Sequence, residues 1–334
     1  MYQSNNSLFL NSIMNPKISI IIPVYNVAPY IESCLTSVMN QIYENLEVVI
    51  VDDKGTDDSM EIVDKFCLKN NLDWLIINHK RNKGLSAARN TGVEYSTGDY
   101  LFFLDSDDEL PLDAMQHFVD YLNKFGNSDF CIGNYIVDGN FNFKSLPSLN
   151  IVETKDNILN SYIRGEWYMM ACGKLINRDF FIHNNLWFAV GRLHEDELFS
   201  FSLALSASKM IIIKEHVYKY IIRESSITVA KKDKNYIDMF WMIEQKIKLF
   251  QQYNYRFNDI SFESYIVAIL FQFSLVIANS NLSSIKQKVF MKWVKEQSSV
   301  LNFNKMTLKA KIKQCLIKLP YPCLNRLFLI IQYR

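Results

Sequence analysis

The sequence has 334 residues, of which 49% are hydrophobic, 14% aromatic and 21% charged. A chain of this length and apolar content can bury the core of one large domain or of two domains of ordinary size. The net charge is +1, from 36 basic and 35 acidic residues. This balance argues against a nucleic-acid-binding protein, because such domains carry a clear excess of positive charge.

Cysteine usage and apolar runs indicate the cellular compartment of the protein. Four of the six cysteines lie in apolar or helix-like stretches and are predicted to be buried free thiols, which suits a reducing compartment: Cys34, Cys67, Cys131 and Cys172. Residues 1–13 lack the basic start and cleavage site of a secretory signal. The longest nearly apolar run, residues 265–278, is shorter than the roughly 20 residues that a membrane-spanning helix needs. We therefore expect a cytoplasmic protein.

The first third of the chain alternates predicted strands with predicted helices. Short apolar runs predict strands at residues 18–22, 48–51, 75–77 and 101–104. Such runs are typical of parallel strands that are buried on both faces. Apolar stripes with helical spacing lie between them, at residues 31–38, 62–66 and 85–94. This order predicts an α/β fold with a mostly parallel, doubly wound, Rossmann-like sheet.

The rest of the chain changes character near residues 231–234. Further strands are predicted at residues 130–137 and 210–213, and the pattern from residue 237 onward is helical and aromatic. The predicted organisation has three parts, which are an N-terminal extension (1–15), an α/β domain (16–230) and a helical C-terminal region (231–334).

Polar and acidic side chains follow the predicted strands, and ligands of doubly wound sheets bind beyond the carboxyl ends of the strands. The most acidic of these segments is Asp105-Ser106-Asp107-Asp108. Asp105 and Asp107 could turn toward one Mg²⁺ or Mn²⁺ ion, since these ions prefer hard oxygen ligands and often complete their shell with substrate phosphates. The alternative is a solvated acidic turn before a helix near Leu112.

Four further candidates have both a functional and a structural interpretation. Asp53 could accept a hydrogen bond from a base or ribose, or cap the next helix. Arg89 could face a diphosphate, but taken alone it is better explained as a structural ion pair. The cluster His194-Glu195-Asp196-Glu197 could supply a general base, or simply favour a helix dipole, with His194 exposed. Arg223 could neutralise a leaving phosphate.

Four motifs occur in order, at residues 17–26 (KISIIIPVYN), 47–53 (EVVIVDD), 82–92 (NKGLSAARNTG) and 100–108 (YLFFLDSDD). Together they resemble the family 2 glycosyltransferases of the bacterial polysaccharide type, which have the GT-A fold. The resemblance is strong over residues 16–115 and continues more weakly through His194 to Glu197 and through residues 223–228.

The resemblance implies an inverting transfer of a hexose or N-acetylhexosamine from a nucleotide sugar, usually a UDP-sugar. The acceptor would be a hydroxyl of a glycan or lipid-linked molecule in cell-surface polysaccharide synthesis. The motif positions imply that Pro23 and Tyr25 flank the nucleotide, that Asp53 contacts uracil, and that Asn82 and Arg89 line the nucleotide pocket. They also imply that Asp105, Ser106 and Asp107 meet the donor and a divalent cation, with Asp107 the more direct metal ligand, that Asp196 is the base, and that Arg223 holds the diphosphate.

One departure from the family pattern is visible in the second motif. The family often has Gly-Ser after the paired aspartates, whereas this chain has Lys54-Gly55-Thr56. This difference affects the expected geometry of the loop.

Other functions fit the pattern less well. A dehydrogenase needs a Gly-x-Gly-x-x-Gly loop after the first strand, and a sugar nucleotidyltransferase needs a glycine-rich basic loop there, but residues 23–26 contain no glycine. An Asp-x-Asp phosphohydrolase normally carries its motif after the first strand, not the fourth. A catalytically inactive nucleotide-sugar-binding partner protein is the remaining alternative, and the acidic residues at all the expected positions argue against it.

The C-terminal tail carries no acidic residue after Glu296. Residues 308–334 interleave lysines and arginines with apolar side chains, so they form either a helix packed on the catalytic domain or a surface that docks on an anionic membrane.

Overall fold

A computed structural model describes residues 14–138, 145–222, 233–253, 262–320 and 323–324. The strands in these ranges are β1 (Ile18–Val24), β2 (Leu46–Asp52), β3 (Leu75–Asn78), β4 (Tyr100–Phe103), β5 (Phe130–Asp138), β6 (Ile151–Glu153), β7 (Lys174–Asn177) and β8 (Lys209–Ile221). The helices are α1 (Ile31–Met39), α2 (Ser59–Asn70), α3 (Leu85–Tyr95), α4 (Ala114–Phe125), α5 (Lys155–Ile163), α6 (Arg178–His183), α7 (Glu195–Ser206), α8 (Asp233–Tyr253), α9 (Phe262–Ala278), α10 (Ser284–Ser299) and α11 (Leu308–Ile317).

The strands form one sheet in the order β3-β2-β1-β4-β7-β5-β8-β6. The first four strands are parallel to one another, which confirms the predicted doubly wound arrangement. β7 is antiparallel to both β4 and β5, and β6 is antiparallel to β8, so the second half of the sheet is mixed. The carboxyl ends of β1, β2 and β4 therefore meet at one edge, as ligand sites in such sheets require.

One expectation about the strands was wrong. β3 is present at the edge of the sheet but is not buried on both faces, because Leu75 is exposed and Ile76 and Ile77 are partly exposed. The sequence pattern also missed β6 and β7, which have only three and four residues. β7 begins with the buried Lys174, and a charged residue in a short apolar run does not match the pattern of a buried strand.

Alternate residues of the central strands contribute to two hydrophobic cores, one on each face of the sheet. On β1, Ile18, Ile20 and Ile22 belong to the core beneath α1, α2 and α4, whereas Ile21 belongs to the core on the opposite face. This alternation follows from the two-residue period of a strand. α3, α5, α6 and α7 cover the second face, and α8 to α11 extend the same core to Leu324.

The helical C-terminal region packs mainly around α9. α10 and α11 contact α9, and α8 contacts both α9 and α7. Within the described ranges, no helix is both long enough and apolar enough to cross a membrane. The four cysteines predicted to be buried are buried and free.

Gly92 lets α3 approach β1 closely enough to place Arg89 at the sheet edge. A Cβ atom on Gly92 would lie 2.2 Å from Cγ2 of Ile21. Gly→Ala in a helix usually stabilises by roughly 0.5–1 kcal/mol, but here the overpacking should reverse the sign and destabilise by about 1–3 kcal/mol. Urea denaturation of Gly92→Ala measures this loss. In an Ile21→Ala background the same change should be neutral or stabilising, and an equal loss in both backgrounds would contradict the packing argument.

Candidate active site

Arg89 joins the two acidic clusters of the sequence. It lies on α3 and is 1% exposed. Its Nη2 donates to Oδ1 of Asp105 at 2.9 Å, and its Nη1 donates to Oδ1 of Asp196 at 2.7 Å. Glu195 Oε1 lies 3.5 Å from the same Nη1. One guanidinium therefore holds the carboxylate that follows β4 against the first turn of α7.

Burial makes the charges around Arg89 depend on one another. Burial alone would lower the pKa of Arg89, but the carboxylates of Asp196 and Asp105 raise it well above its usual range. Burial, and next the charge of Asp196, raise the pKa of Glu195 to about 7. The Arg89 guanidinium also lies over the ring of Phe188, with 5.2 Å between Cζ and the ring centroid. The site thus contains one permanently charged cation and a carboxyl group that titrates near neutral pH.

The turn after β4 is held from behind by β8. Tyr218 donates from its hydroxyl to Oδ2 of Asp108 at 2.8 Å, and the Asp105 amide donates to that hydroxyl at 3.2 Å. The amide of Ile221 donates to Oδ1 of Asp108 at 2.8 Å. Asp108 and Ser106 are buried, whereas Asp105 and Asp107 are partly exposed. The turn therefore presents Asp105 and Asp107 outward and uses Asp108 as its internal anchor.

Asp108 makes stability depend on pH. Burial, and next the charge of Asp105, raise its pKa from 3.8 to about 7. Because the folded state then holds a proton that the unfolded chain releases near pH 4, this contribution is complete at low pH and is lost as pH rises toward 7. Asp108→Asn should remove a slope of at most about 1.4 kcal/mol per pH unit, measured by urea denaturation in EDTA. Asp73→Asn is the control, because Asp73 is exposed, and equal slopes in both variants would refute the assignment.

The paired aspartates after β2 organise two loops. Asp53 is buried, and its Oδ1 lies 2.7 Å from Nδ1 of His79 and accepts from the Lys83 amide at 2.8 Å. Its Oδ2 accepts from the Gly84 amide at 2.8 Å, which the positive φ of Gly84 (90°) makes accessible. Asp53 therefore fixes the segment that carries Asn82, which is exposed.

The departure at Lys54 is accommodated by backbone geometry. Lys54 has a φ of +59°, and its amide donates to Oδ1 of Asp52 at 2.7 Å. Tyr25, which is exposed, lines a cavity of about 120 Å³ together with residues of both loops: Val24, Asn26, Asp52, Lys54, Gly55, Asp57, Ser59 and Met60. Pro23 is buried within β1, paired with Val51. The end of β1 and the loop after β2 thus form one small pocket.

Asp105 and Asp107 fit a divalent cation that is shared with a diphosphate. Both carboxylates are partly exposed beyond β4, and Mg²⁺ typically binds one or two carboxylates together with substrate phosphates. No group of three or more His, Cys, Asp or Glu side chains in the described parts of the chain could hold a metal by itself. The donor set therefore suits a cation that binds with its substrate and does not suit a closed structural site.

The structure brings some predicted residues together and separates others. Arg89, Asp105 and Asp196 are in direct contact, whereas Asp53 and Tyr25 belong to the neighbouring loops. Arg223 lies outside the described residues. The expectation that His194 is exposed was wrong, because it is partly buried and its Nε2 lies 2.5 Å from Oδ1 of Asn235.

Two buried residues near the site were missed. His79 pairs with Asp53, and its Nε2 lies 3.0 Å from the hydroxyl of Thr91. Lys174 is fully buried beside the aromatic rings of Trp167 and Tyr168, and burial lowers its pKa to about 7. A lysine inside an otherwise apolar run was the only sequence signal for Lys174. His79 is the second residue after the predicted strand at 75–77, which was a usable signal.

Comparison with known proteins identifies the fold and the family. The family model for glycosyl transferase family 2 matches residues 19–184. The glycosyltransferase GlyG of Streptococcus pneumoniae serotype 4 is 32% identical over 233 residues, which are 66% of this chain and 75% of GlyG. GlyA of the same organism is 29% identical over 302 residues, which are 87% of this chain but only 42% of GlyA.

A solved structure of another protein has a similar fold. The crystal structure of S. aureus TarS 1-349 in complex with UDP-GlcNAc aligns with a TM-score of 0.58 and 20% identity. The alignment covers 90% of this chain and 79% of that chain. The α/β sheet described above is thus the GT-A fold, with helices added after it. Enzymes of this family transfer glycosyl groups and commonly use divalent cations, and this chain belongs to glycosyltransferase family 2.

Proposed function

We propose that this glycosyltransferase moves a hexose or N-acetylhexosamine, with inversion, from a UDP-sugar to a hydroxyl of a glycan or lipid-linked acceptor. The process would be cell-surface polysaccharide synthesis. The observation that carries the proposal is the position of the Arg89 guanidinium. It bonds to Asp105 through Nη2 and to Asp196 through Nη1, so both carboxylates lie around the same cation. A transferase needs this arrangement, because the donor phosphates and the acceptor base must meet at one anomeric carbon.

The donor assignment is supported by the pocket at the ends of β1 and β2. It is small, and exposed Tyr25 can stack on a flat base. TarS was crystallised with UDP-GlcNAc, which makes UDP-sugars the first donors to test. The motif implies that Pro23 flanks the nucleotide and that Asp53 contacts uracil, but both side chains are buried and both Asp53 oxygens accept from backbone amides, so they would support this pocket from within. Asn82 would line its outer side. Ser106 would meet the sugar diphosphate beside Asp105.

The chemistry assigned to the chain's own residues is proton transfer and charge stabilisation. Asp196 has a side chain that is 30% exposed, so an acceptor hydroxyl can reach it and give up its proton. Arg89 keeps Asp196 oriented, and its charge also lies beside the phosphate end of the donor. Arg223, just after β8, would add a second positive charge at the departing diphosphate.

A divalent cation, Mg²⁺ or Mn²⁺, would be held by Asp105 and Asp107 together with the diphosphate. When bound, it would neutralise negative charge on the leaving UDP. Asp107 would be its more direct ligand, as its position in the motif implies.

A screen of UDP-sugars tests the proposal. Purified protein is incubated with UDP-glucose, UDP-galactose and their N-acetylated forms, with Mn²⁺ or EDTA, and UDP release is measured. We expect one donor to release UDP faster than the others, and only with metal. Release of phosphate from a phosphomonoester without UDP release would favour the phosphohydrolase. Donor binding without release from any UDP-sugar, with or without glycan acceptors, would favour an inactive partner protein.

We also propose that the C-terminal region contacts an anionic membrane. On α11, Leu308 is 76% exposed and Ile312 is 53% exposed, and these two side chains lie one turn apart. Exposed Lys305, Lys309 and Lys318 flank them. An apolar stripe between lysines, in a segment without acidic residues, suits an anionic lipid surface better than water.

Vesicle cosedimentation tests this contact. The protein should sediment with phosphatidylglycerol vesicles at low salt and less so at about 0.5 M salt, where most of the surface charge is screened. Leu308→Ser with Ile312→Ser should lower binding several-fold. Leu68→Ser, which removes a more exposed leucine on α2, is the matched control. No sedimentation of the wild type at low salt would end the proposal.

A further inference from the structure

The first turns of α8 form hydrogen bonds and ion pairs with the segment that leads into α7. Asp238 on α8 is 1% exposed and accepts from Nη1 of Arg192 at 2.9 Å and from the amide of Leu193 at 3.1 Å. Lys234 also bonds to Asp238, and its Nζ donates to the carbonyl of Gly191 at 2.8 Å. These contacts tie the start of α8 to residues 191–193.

A second contact lies two turns further along α8. Lys246 is 1% exposed, and its Nζ donates to Oε1 of Glu197 at 2.6 Å. The same Nζ lies 3.4 Å from the hydroxyl of Tyr162 and 5.3 Å from the ring centroid of Phe201. Glu197 directly follows Asp196, so α8 holds the chain on both sides of the candidate base.

The backbone at this point needs external support. His194 has a φ of +62°, which side chains other than glycine rarely adopt, and Asn235 of α8 contacts its ring. Three acidic residues then follow within the first turn of α7, and each contacts a buried cation: Glu195 and Asp196 contact Arg89, and Glu197 contacts Lys246. A buried carboxylate such as Asp238 is tolerated only when it is well paired, and its bonds to Arg192 and Lys234 provide that pairing.

We propose that α8 is a positioning element for catalysis, in which Asp238 and Lys246 fix residues 191–197 and so hold Asp196 against Arg89. Neither residue touches the candidate reaction centre, so both act through the loop. The proposal rests on the proposed role of Asp196 as the base. It assigns to the helical C-terminal region a function in the reaction itself, in addition to membrane contact.

Asp238→Asn and Lys246→Met test the proposal. Each should lower the rate of UDP release from the best donor of the screen by about tenfold or more, since small displacements of a catalytic group are costly. Binding of UDP with Mn²⁺ should stay within about twofold, because the donor loops are untouched. Amide hydrogen exchange of residues 191–199 should become faster, and this readout does not depend on activity.

Val294→Ala is the matched control, because Val294 is buried in α10 and its loss also lowers stability. It should leave both the rate and the exchange of residues 191–199 unchanged. If Asp238→Asn does not fold, Asn235→Ala removes the partner of His194 with less disturbance and should show the same effects. Normal rates and normal exchange in the folded variants would overturn the proposal.

Different results would contradict the role of Asp196 as the base and the role of α8 as a positioning element. If Asp196→Asn is inactive but the α8 variants are normal, α8 has no positioning role and the base assignment stands. If Asp196→Asn is fully active, the base assignment fails, and faster exchange of residues 191–199 would then show only that α8 supports the loop, which overturns its catalytic role.

Discussion

Asp196→Asn is expected to lower sugar transfer by about 10²–10⁴-fold, the usual contribution of a general base. Asparagine cannot accept the proton of the acceptor hydroxyl, but its amide oxygen can still accept from Nη1 of Arg89, as Oδ1 of Asp196 does at 2.7 Å. The fold and the donor pocket should therefore survive. Isothermal titration with UDP and Mn²⁺ should give a Kd within about twofold of the wild type. Transfer is measured as UDP release in the presence of acceptor.

Glu195→Gln is the control that separates two neighbouring carboxyl groups. The pKa of Glu195 is raised to about 7, mainly by burial, so it too could accept a proton near neutral pH. Its side chain is less exposed than that of Asp196, and its contact with Arg89 is longer, at 3.5 Å. We expect a loss of less than about tenfold for Glu195→Gln, well below the usual contribution of a general base. A severe loss in Glu195→Gln with normal transfer in Asp196→Asn would make Glu195 the base.

The parallel half of the sheet could be predicted because its signals are local. The runs that became β1, β2 and β4 are continuous and apolar, and the position of the residues after them follows from the geometry of parallel strands. Asp105 was placed correctly at this edge by that argument alone. The burial of β3 was misjudged because an apolar run does not reveal how completely other elements cover its two faces, and β3 at the sheet edge is left partly exposed.

The contacts that complete the site could not be predicted, because they join residues far apart in the chain. Arg89 and Asp196 are 107 positions apart, and Lys246 and Glu197 are 49 positions apart. Each of these residues looks like an ordinary surface charge when its own helix is considered alone. Only the packing of α3, α7 and α8 on the same face of the sheet buries Arg89 and Lys246 and makes their pairing with Asp196 and Glu197 obligatory.

Arg89→Met is expected to destabilise the protein by about 3–5 kcal/mol at pH 8, the usual loss when one partner of a buried ion pair is removed. Methionine can fill most of the space, so the loss should come from Asp105, Asp196 and Glu195, which are left without their shared cation. The guanidinium currently lowers the pKa of Glu195, so its removal should raise that pKa further. Urea denaturation at several pH values measures the loss.

The pH dependence distinguishes lost charge from lost packing. In Arg89→Met at pH 8 the three acidic side chains would repel one another, whereas at pH 4.5 protonation should relieve much of that repulsion, so the gap to the wild type should narrow. A loss of packing would be the same at both pH values. Arg164→Met is the control, because the Arg164 side chain is 37% exposed whereas that of Arg89 is 1% exposed, and exposed pairs contribute about 0–1 kcal/mol. The loss of stability in Arg89→Lys should lie between the losses in Arg164→Met and Arg89→Met. Lysine keeps the charge, but its ammonium lacks the planar fork that reaches Asp105 and Asp196 together. Wild-type stability of Arg89→Met at pH 8 would mean that Arg89 does not hold the two acidic clusters together.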